Sequence, residues 1–377
     1  MFDFRYGPRL RVGAGAAVGI DSLLPPGPVL VVSDAGLTAL GLVDPLLRAL
    51  RAAGRVVTLF DAVEADPSAA TVLRCVAAGQ GVAAVVGFGG GSPMDVAKLA
   101  AYLLGSGDLL DDIYGVDQAQ GRRLPLVLVP TTAGTGSEAT PISIITVGET
   151  EKKGVVSAPL VPDWAVLDAT LTLGLPRAVT AATGIDAMVH AIEAYTSKRL
   201  KNPMSDMLAR AALRLLAANI RRACDVPGDI EARQAMLMGS HLAGVAFANA
   251  PVGGVHALAY PLGGHFHVPH GLSNALMLPG VLRFNLPEAA DFYAELSFEL
   301  DAAGADVAKV NGAEGFIAAL QRIAVDCGLP DRLSAVGVAE SDLDLLAAEA
   351  MKQQRLLINN PRVIGEGDAR RLYAEVL

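Results

Sequence analysis

Four short apolar runs in the first half of the chain, at residues 29–32, 55–60, 82–87 and 124–129, alternate with Ala- and Leu-rich stretches such as 42–53 and 68–78, whose apolar positions recur at helical spacing. A chain that alternates strand and helix in this way is confined to a parallel sheet with crossover helices. Residues 1–13, MFDFRYGPRLRVG, lack the apolar stretch of a secretion signal and read as a first strand of the same sheet. Beyond residue 176 the strand-like runs stop. Helical patterns then follow at roughly 177–198, 203–223, 229–249, 270–284, 287–302, 312–326 and 341–354. With 162–176 read as a linker, the expected organisation is an α/β domain over 1–176 and an all-α domain over 177–377. A length of 377 residues agrees with two domains at about 150 residues each.

Composition narrows the chemistry. The 39 acidic and 30 basic side chains leave a net charge of −9 with Lys and Arg scattered, which disfavours nucleic acid as a partner. The three cysteines, Cys75, Cys224 and Cys327, have no CxxC spacing, so neither a disulfide framework nor a thiolate metal knot is supported and a reducing cytoplasm is the expected compartment. Apolar runs such as 208–218 are broken by Arg, short of the roughly 18 residues that a membrane span needs, so no membrane partner is expected.

The third apolar run passes into Gly89-Gly90-Gly91-Ser92-Pro93-Met94-Asp95, a strand, a glycine turn and a helix start, with Ser92 suited to the N-cap, Pro93 to N1 and Asp95 to N3. Backbone N–H groups at such a turn can approach a pyrophosphate, and the helix terminus adds partial positive charge. The segment matches neither G-x-G-x-x-G nor the P-loop pattern, and a ligand-free turn is the competing reading. Asp34, just past the first run, suits a ribose diol and would repel the extra phosphate of NADP; it also suits a helix cap. Thr131, Thr132 and Thr135 lie in a Gly- and Thr-rich loop after the fourth run, placed either to hydrogen-bond a cofactor or as a polar surface loop. Lys152 and Lys153 are the nearest cations downstream, as cofactor contacts or as a solvated pair.

Of six histidines, His256, His265, His267 and His270 fall within residues 256–270. His190 follows Asp186 by four residues in a helical pattern, which puts both on one face. Asp186, His190, His256 and His270 would give an ion one oxygen and three nitrogens, a set that suits iron(II) or zinc better than magnesium or calcium. In an extended stretch His265 and His267 would share a face, lining a substrate cleft or standing exposed.

These segments, together with 184–195 and the closing Asn360-Pro361-Arg362, resemble the iron-containing (group III) alcohol dehydrogenase family in order and spacing over essentially the whole chain. The resemblance implies the dehydroquinate synthase-like fold of that family. It implies that Asp186, His190, His256 and His270 ligate Fe2+, with Zn2+ chemically acceptable. Gly90, Gly91, Ser92 and Asp95 take the place of its pyrophosphate loop, Thr131, Thr132 and Thr135 of its second cofactor loop, Lys153 of a cofactor-contacting lysine, and Asp34 of the acidic position that favours NAD. Many members carry a second histidine four residues after the third ligand to help proton transfer, and here Tyr260 stands there; an unperturbed phenol, with a pKa of about 10, is a poor shuttle at neutral pH. The implied activity is hydride exchange between NAD(H) and a small alcohol or aldehyde, with Tyr260 or His267 in the proton path, by a homodimer or larger homo-oligomer. The alternatives are a zinc-dependent glycerol-dehydrogenase-like or dehydroquinate-synthase-like enzyme, and a nucleotide- or metal-binding protein without turnover.

Overall fold

The computed structural model describes residues 1–148, 151–304 and 312–377. Close contacts gather these residues into two units, Tyr6–Leu173 and Met1–Arg5 with Gly174–Leu377.

The first unit is built from β1 (Arg9–Val12), β2 (Val29–Val32), α1 (Ala35–Ala39), α2 (Asp44–Ala52), β3 (Val57–Phe60), α3 (Ala69–Ala78), β4 (Ala84–Gly89), α4 (Gly91–Ser106), β5 (Gly115–Val116), β6 (Leu126–Pro130), β7 (Ile142–Val147), β8 (Glu151–Val156) and β9 (Trp164–Leu167). Six strands form one parallel sheet in the order β1-β9-β6-β4-β2-β3. Period-two alternation sends Leu30 and Val32 into an apolar cluster with α3 and α4, and Val29 and Val31 into another with α2. The inner strands β2, β4 and β6 are therefore covered on both faces, which is why they read as continuous apolar runs. A second sheet, β5-β8-β7, was not legible as apolar runs, because β8 reads Glu151-Lys152-Lys153-Gly154-Val155-Val156.

Three expectations are corrected here. The segment 162–176 is not simply a linker: β9 lies within it and pairs with both β1 and β6, since its apolar residues 165–167 are fully buried. Strand β4 continues through Gly89, which pairs with Pro130, so the turn begins at Gly90. Gly90, and not Ser92, is consequently the N-cap of α4, and no side chain caps that helix start.

The second unit is all-helical: α5 (Arg177–Thr196), α6 (Pro203–Asp225), α7 (Ile230–Asn249), α8 (Gly254–Phe266), α9 (His270–Ala302), α10 (Ala313–Asp326), α11 (Leu343–Met351), α12 (Gln354–Leu357) and α13 (Glu366–Glu375). Residues 270–284 and 287–302, read as two helices, are one, with Pro279 and Pro287 inside α9. An interior proline costs about 3 kcal/mol in a helix. Here α9 packs on α5 and α10, and the Arg362 guanidinium donates to the Phe284 carbonyl just ahead of Pro287 at 2.8 Å. Residues 340–342 form a separate 3-10 turn before α11, and the helical pattern did not disclose α13. Among the described residues no single helix is long and apolar enough to cross a membrane.

Candidate functional site

In the first unit, the glycine turn is shaped by close packing. A Cβ on Gly87 would lie 2.6 Å from Leu128 Cδ2 and 2.8 Å from Ala97 Cβ, so glycine there lets α4 lie directly on the sheet. Gly89 has φ +154° and a Cβ there would meet the Pro93 ring at 2.6 Å. With no side-chain cap, the first N–H groups of the 16-residue helix α4 remain donors for an anion.

The threonine loop lies against this turn. A Cβ on Gly90 would be 3.6 Å from Thr132 Oγ1, one on Gly91 would be 3.1 Å from Thr135 Cγ2, and Thr131 N donates to Gly89 O at 2.9 Å. Two side chains of α4 hold the loop there. Asp95 accepts from Ser137 Oγ at 2.6 Å and from Ile144 N at 2.8 Å. Lys98, fully buried, donates to Ser137 Oγ at 2.8 Å, Thr140 Oγ1 at 3.2 Å and Ile142 O at 2.7 Å. Burial lowers the Lys98 ammonium from its usual range against the opposing charges of Asp95 and Glu138. Lys98 escaped the sequence reading because a helical lysine ordinarily points into water. Ser92 lies in the first turn of α4, part-exposed.

Asp34 follows β2 and caps α1, accepting from Leu37 N at 2.9 Å through Oδ1. That bond uses only part of a carboxylate's acceptor capacity, so a ribose contact stays open to it. Lys153 stands 3.8 Å from Glu151 and 5.3 Å over the Tyr114 ring, while Lys152 pairs with Asp66 at 2.7 Å.

In the second unit, Asp186, His190, His256 and His270 converge. One ligand atom from each lies within 4.8 Å of all the others, and Asp186 Oδ1 is 3.9, 3.8 and 3.7 Å from the Nε2 atoms of His190, His256 and His270. Ligands bound at about 2.0–2.2 Å to one tetrahedral ion stand about 3–4 Å apart, so this donor set fits a divalent transition metal. Three of the four are buried and the His270 side chain is 43% exposed, which leaves the cluster one open side. Burial opposes ionisation of Asp186, but His190, His270 and His256 and the Asn274 amide outweigh it and hold the carboxyl below its usual range.

The local sequence explains the convergence. Gly184 lets α5 pack closely on α6 and α7, since a Cβ there would lie 2.8 Å from both Ile220 Cδ1 and Met236 Cε. Gly271 brings the first turn of α9 against α5, where its Cβ would fall 2.4 Å from Ala182 O. At the start of α8, Gly254 N donates to Asn360 Oδ1 at 3.2 Å and Val255 N donates to Glu193 Oε1 at 2.7 Å, taking up N–H groups that the helix cannot satisfy itself. The other Glu193 oxygen accepts from His256 Nδ1–H at 2.6 Å. That bond fixes the tautomer and turns the Nε2 lone pair inward. His190 stacks between Phe247, 4.4 Å away, and His256, 4.7 Å away.

Two further side chains were missed. Glu193 lies seven residues after Asp186 on α5, and Asn274 four residues after His270 on α9. Helical spacing put Glu193 on the face of Asp186 and Asn274 on the face of His270, and that was the available signal. Tyr260 is near, its ring centroid 5.7 Å from that of His270. His265 and His267 do not share an extended face. Residues 254–266 are helical, His265 is in the last turn of α8, and His267 closes the helix exposed at φ 54°.

Comparison with known proteins agrees with this arrangement. Residues 7–169 match the family model described as iron-containing alcohol dehydrogenase, and residues 180–377 match its C-terminal counterpart. A long-chain-alcohol dehydrogenase of Geobacillus thermodenitrificans is 41% identical over 350 residues, covering 92% of this chain and 88% of the relative. An NAD-dependent methanol dehydrogenase of Bacillus methanolicus is 33% identical over the full length of both chains. The solved structure of an alcohol dehydrogenase from Oenococcus oeni superposes with a TM-score of 0.92 at 31% identity, covering both chains completely. Since matches of this extent run through both the glycine turn and the histidine cluster, the chain belongs to the iron-containing alcohol dehydrogenase family.

Proposed function

We propose that this chain is an NAD-dependent, iron-containing alcohol dehydrogenase that exchanges hydride between NAD(H) and a small alcohol or aldehyde. The observation that carries this reading is the cluster of one carboxylate and three imidazoles, buried but for His270, in a chain of this family. Asp186, His190, His256 and His270 would hold the ion. When bound, iron(II) acts as a Lewis acid on the substrate oxygen, while the nicotinamide supplies or accepts the hydride. Gly90, Gly91 and Ser92 offer the α4 terminus to the pyrophosphate, and Asp95 and Lys98 hold the loop bearing Thr131, Thr132 and Thr135 against it. We place Lys153 among the cofactor contacts as well, and Asp34 at the adenosine ribose. Glu193 holds the His256 Nδ1 proton and so keeps Nε2 available to the ion. Tyr260, beside His270, is our choice for the proton path, with exposed His267 as its outlet.

Three free, buried cysteines fit a reducing cytoplasm. A homodimer or larger assembly is favoured by β1, an edge strand with Leu10 and Val12 exposed.

The test is NADH absorbance in the presence of short aldehydes. Consumption is expected from protein loaded with ferrous iron and not from metal-free protein. Turnover supported by zinc and indifferent to iron, or no turnover with any aldehyde in iron-loaded protein, would contradict the reading.

Asp34→Gly tests the cofactor side. Glycine at an N-cap costs only a few tenths of a kcal/mol, so the fold should survive. Removing a carboxylate that repels the extra phosphate should raise NADP use relative to NAD on the order of 10- to 100-fold. An unchanged ratio of kcat/KM values for the two cofactors would remove Asp34 from the ribose site.

A further inference from the structure

Asn274 is fully buried one helical turn after His270. Its Nδ2 donates to Asp186 Oδ1 at 2.6 Å and stands 3.2 Å from His256 Nε2 and 3.3 Å from His270 Nε2. Its Oδ1 is buried without a hydrogen-bond partner. An orphaned buried acceptor costs about 1–3 kcal/mol, so the amide is kept in this orientation by what its nitrogen does. Turned over, the oxygen would face a carboxylate and two imidazole lone pairs, all of them acceptors.

We propose that Asn274 is a positioning residue of the metal centre, whose amide donor fixes the Asp186 carboxylate through Oδ1. The inference rests on the ligand set given above and deepens it. A neutral imidazole nitrogen has one lone pair, and Nε2 of His256 or His270 cannot offer it both to an ion and to the amide. A carboxylate oxygen has a second lone pair, so Asp186 Oδ1 can ligate and still accept from Asn274. The carboxylate ligand thus has its own orienting donor, as the His256 ligand has its orienting acceptor in Glu193. Orienting groups of this kind are worth about 10- to 100-fold in metal affinity.

The test uses the full chain, stripped of metal, beside Asn274→Ala and Asn274→Leu. Leucine keeps most of the asparagine volume, so it carries the experiment if alanine loosens the fold. Cobalt(II) affinity is measured by competition with a chelator, the visible d–d bands of the cobalt-loaded proteins are recorded, and the metal-free proteins are melted. Both variants should bind cobalt about 10- to 100-fold more weakly, with altered d–d bands, while NADH affinity stays the same. Unchanged cobalt affinity and bands in a folded variant would overturn the proposal, and so would a weakening matched by an equal loss of metal-free stability and NADH binding. If the unsubstituted chain binds no cobalt, the ligand assignment falls and this inference with it; if His256→Ala loses cobalt and the Asn274 variants do not, the inference falls alone.

Discussion

His256→Ala is expected to abolish metal retention and turnover while leaving NADH binding intact. The imidazole is almost completely buried, faces Asp186 through Nε2 and is clamped by Glu193 through Nδ1, so alanine removes one of the four proposed ligands. It also frees one oxygen of a buried carboxylate, at a cost of about 1–3 kcal/mol to the fold. Glu193 retains its bond from Val255 N, which should keep the start of α8 in place. Losing several kcal/mol of Lewis-acid stabilisation corresponds to a fall of about a thousandfold or more in kcat. The glycine turn proposed for the cofactor belongs to residues 6–173, so NADH titrated by fluorescence should bind as before. Iron content measured after dialysis decides the matter, and unchanged iron would count against the whole ligand set.

Gly271→Ala should both destabilise the protein and weaken its metal site. The added methyl would lie 2.4 Å from the Ala182 carbonyl oxygen and 2.7 Å from the Ala182 carbonyl carbon, backbone atoms that cannot rotate away. Overpacking of this kind costs typically about 1–3 kcal/mol and occasionally more. Relief requires the first turn of α9 to move off α5, taking His270 and Asn274 with it while Asp186 and His190 stay on α5. Gly264→Ala is the control, because that glycine lies in the last turn of α8 with nothing within 4 Å of an added Cβ. It should be neutral or stabilising by up to about 1 kcal/mol. Denaturant unfolding and bound metal should fall together in Gly271→Ala alone; an unchanged midpoint with full metal content would refute the packing argument.

Strands β2, β4 and β6 were legible because they are buried on both faces and therefore read as uninterrupted apolar runs, whereas β9 lay hidden in the segment read as a linker. Asp186 and His190 were legible because four residues on a helix share a face. The His256 helix was not: glycines at 253, 254, 263 and 264 and Pro261 mask its period, and its terminus is secured by Glu193 and Asn360 from elsewhere in the chain. Glu193 and Asn274 look like ordinary polar helical residues until partners 63 and 88 positions away are placed beside them. Lys98 hid in the same way, since its burial depends on a loop that begins beyond residue 130. Tertiary packing also overrode local propensity in α9, which runs through Pro287 where the pattern had stopped.

Diffraction collected at the iron absorption edge from crystals of iron-loaded protein locates the ion without any assumption about activity. A single anomalous peak about 2.0–2.2 Å from Asp186 Oδ1 and the Nε2 atoms of His190, His256 and His270 is the predicted result. A peak elsewhere, or none at this cluster in iron-loaded protein that consumes NADH, would contradict the assignment on which the proposed chemistry stands.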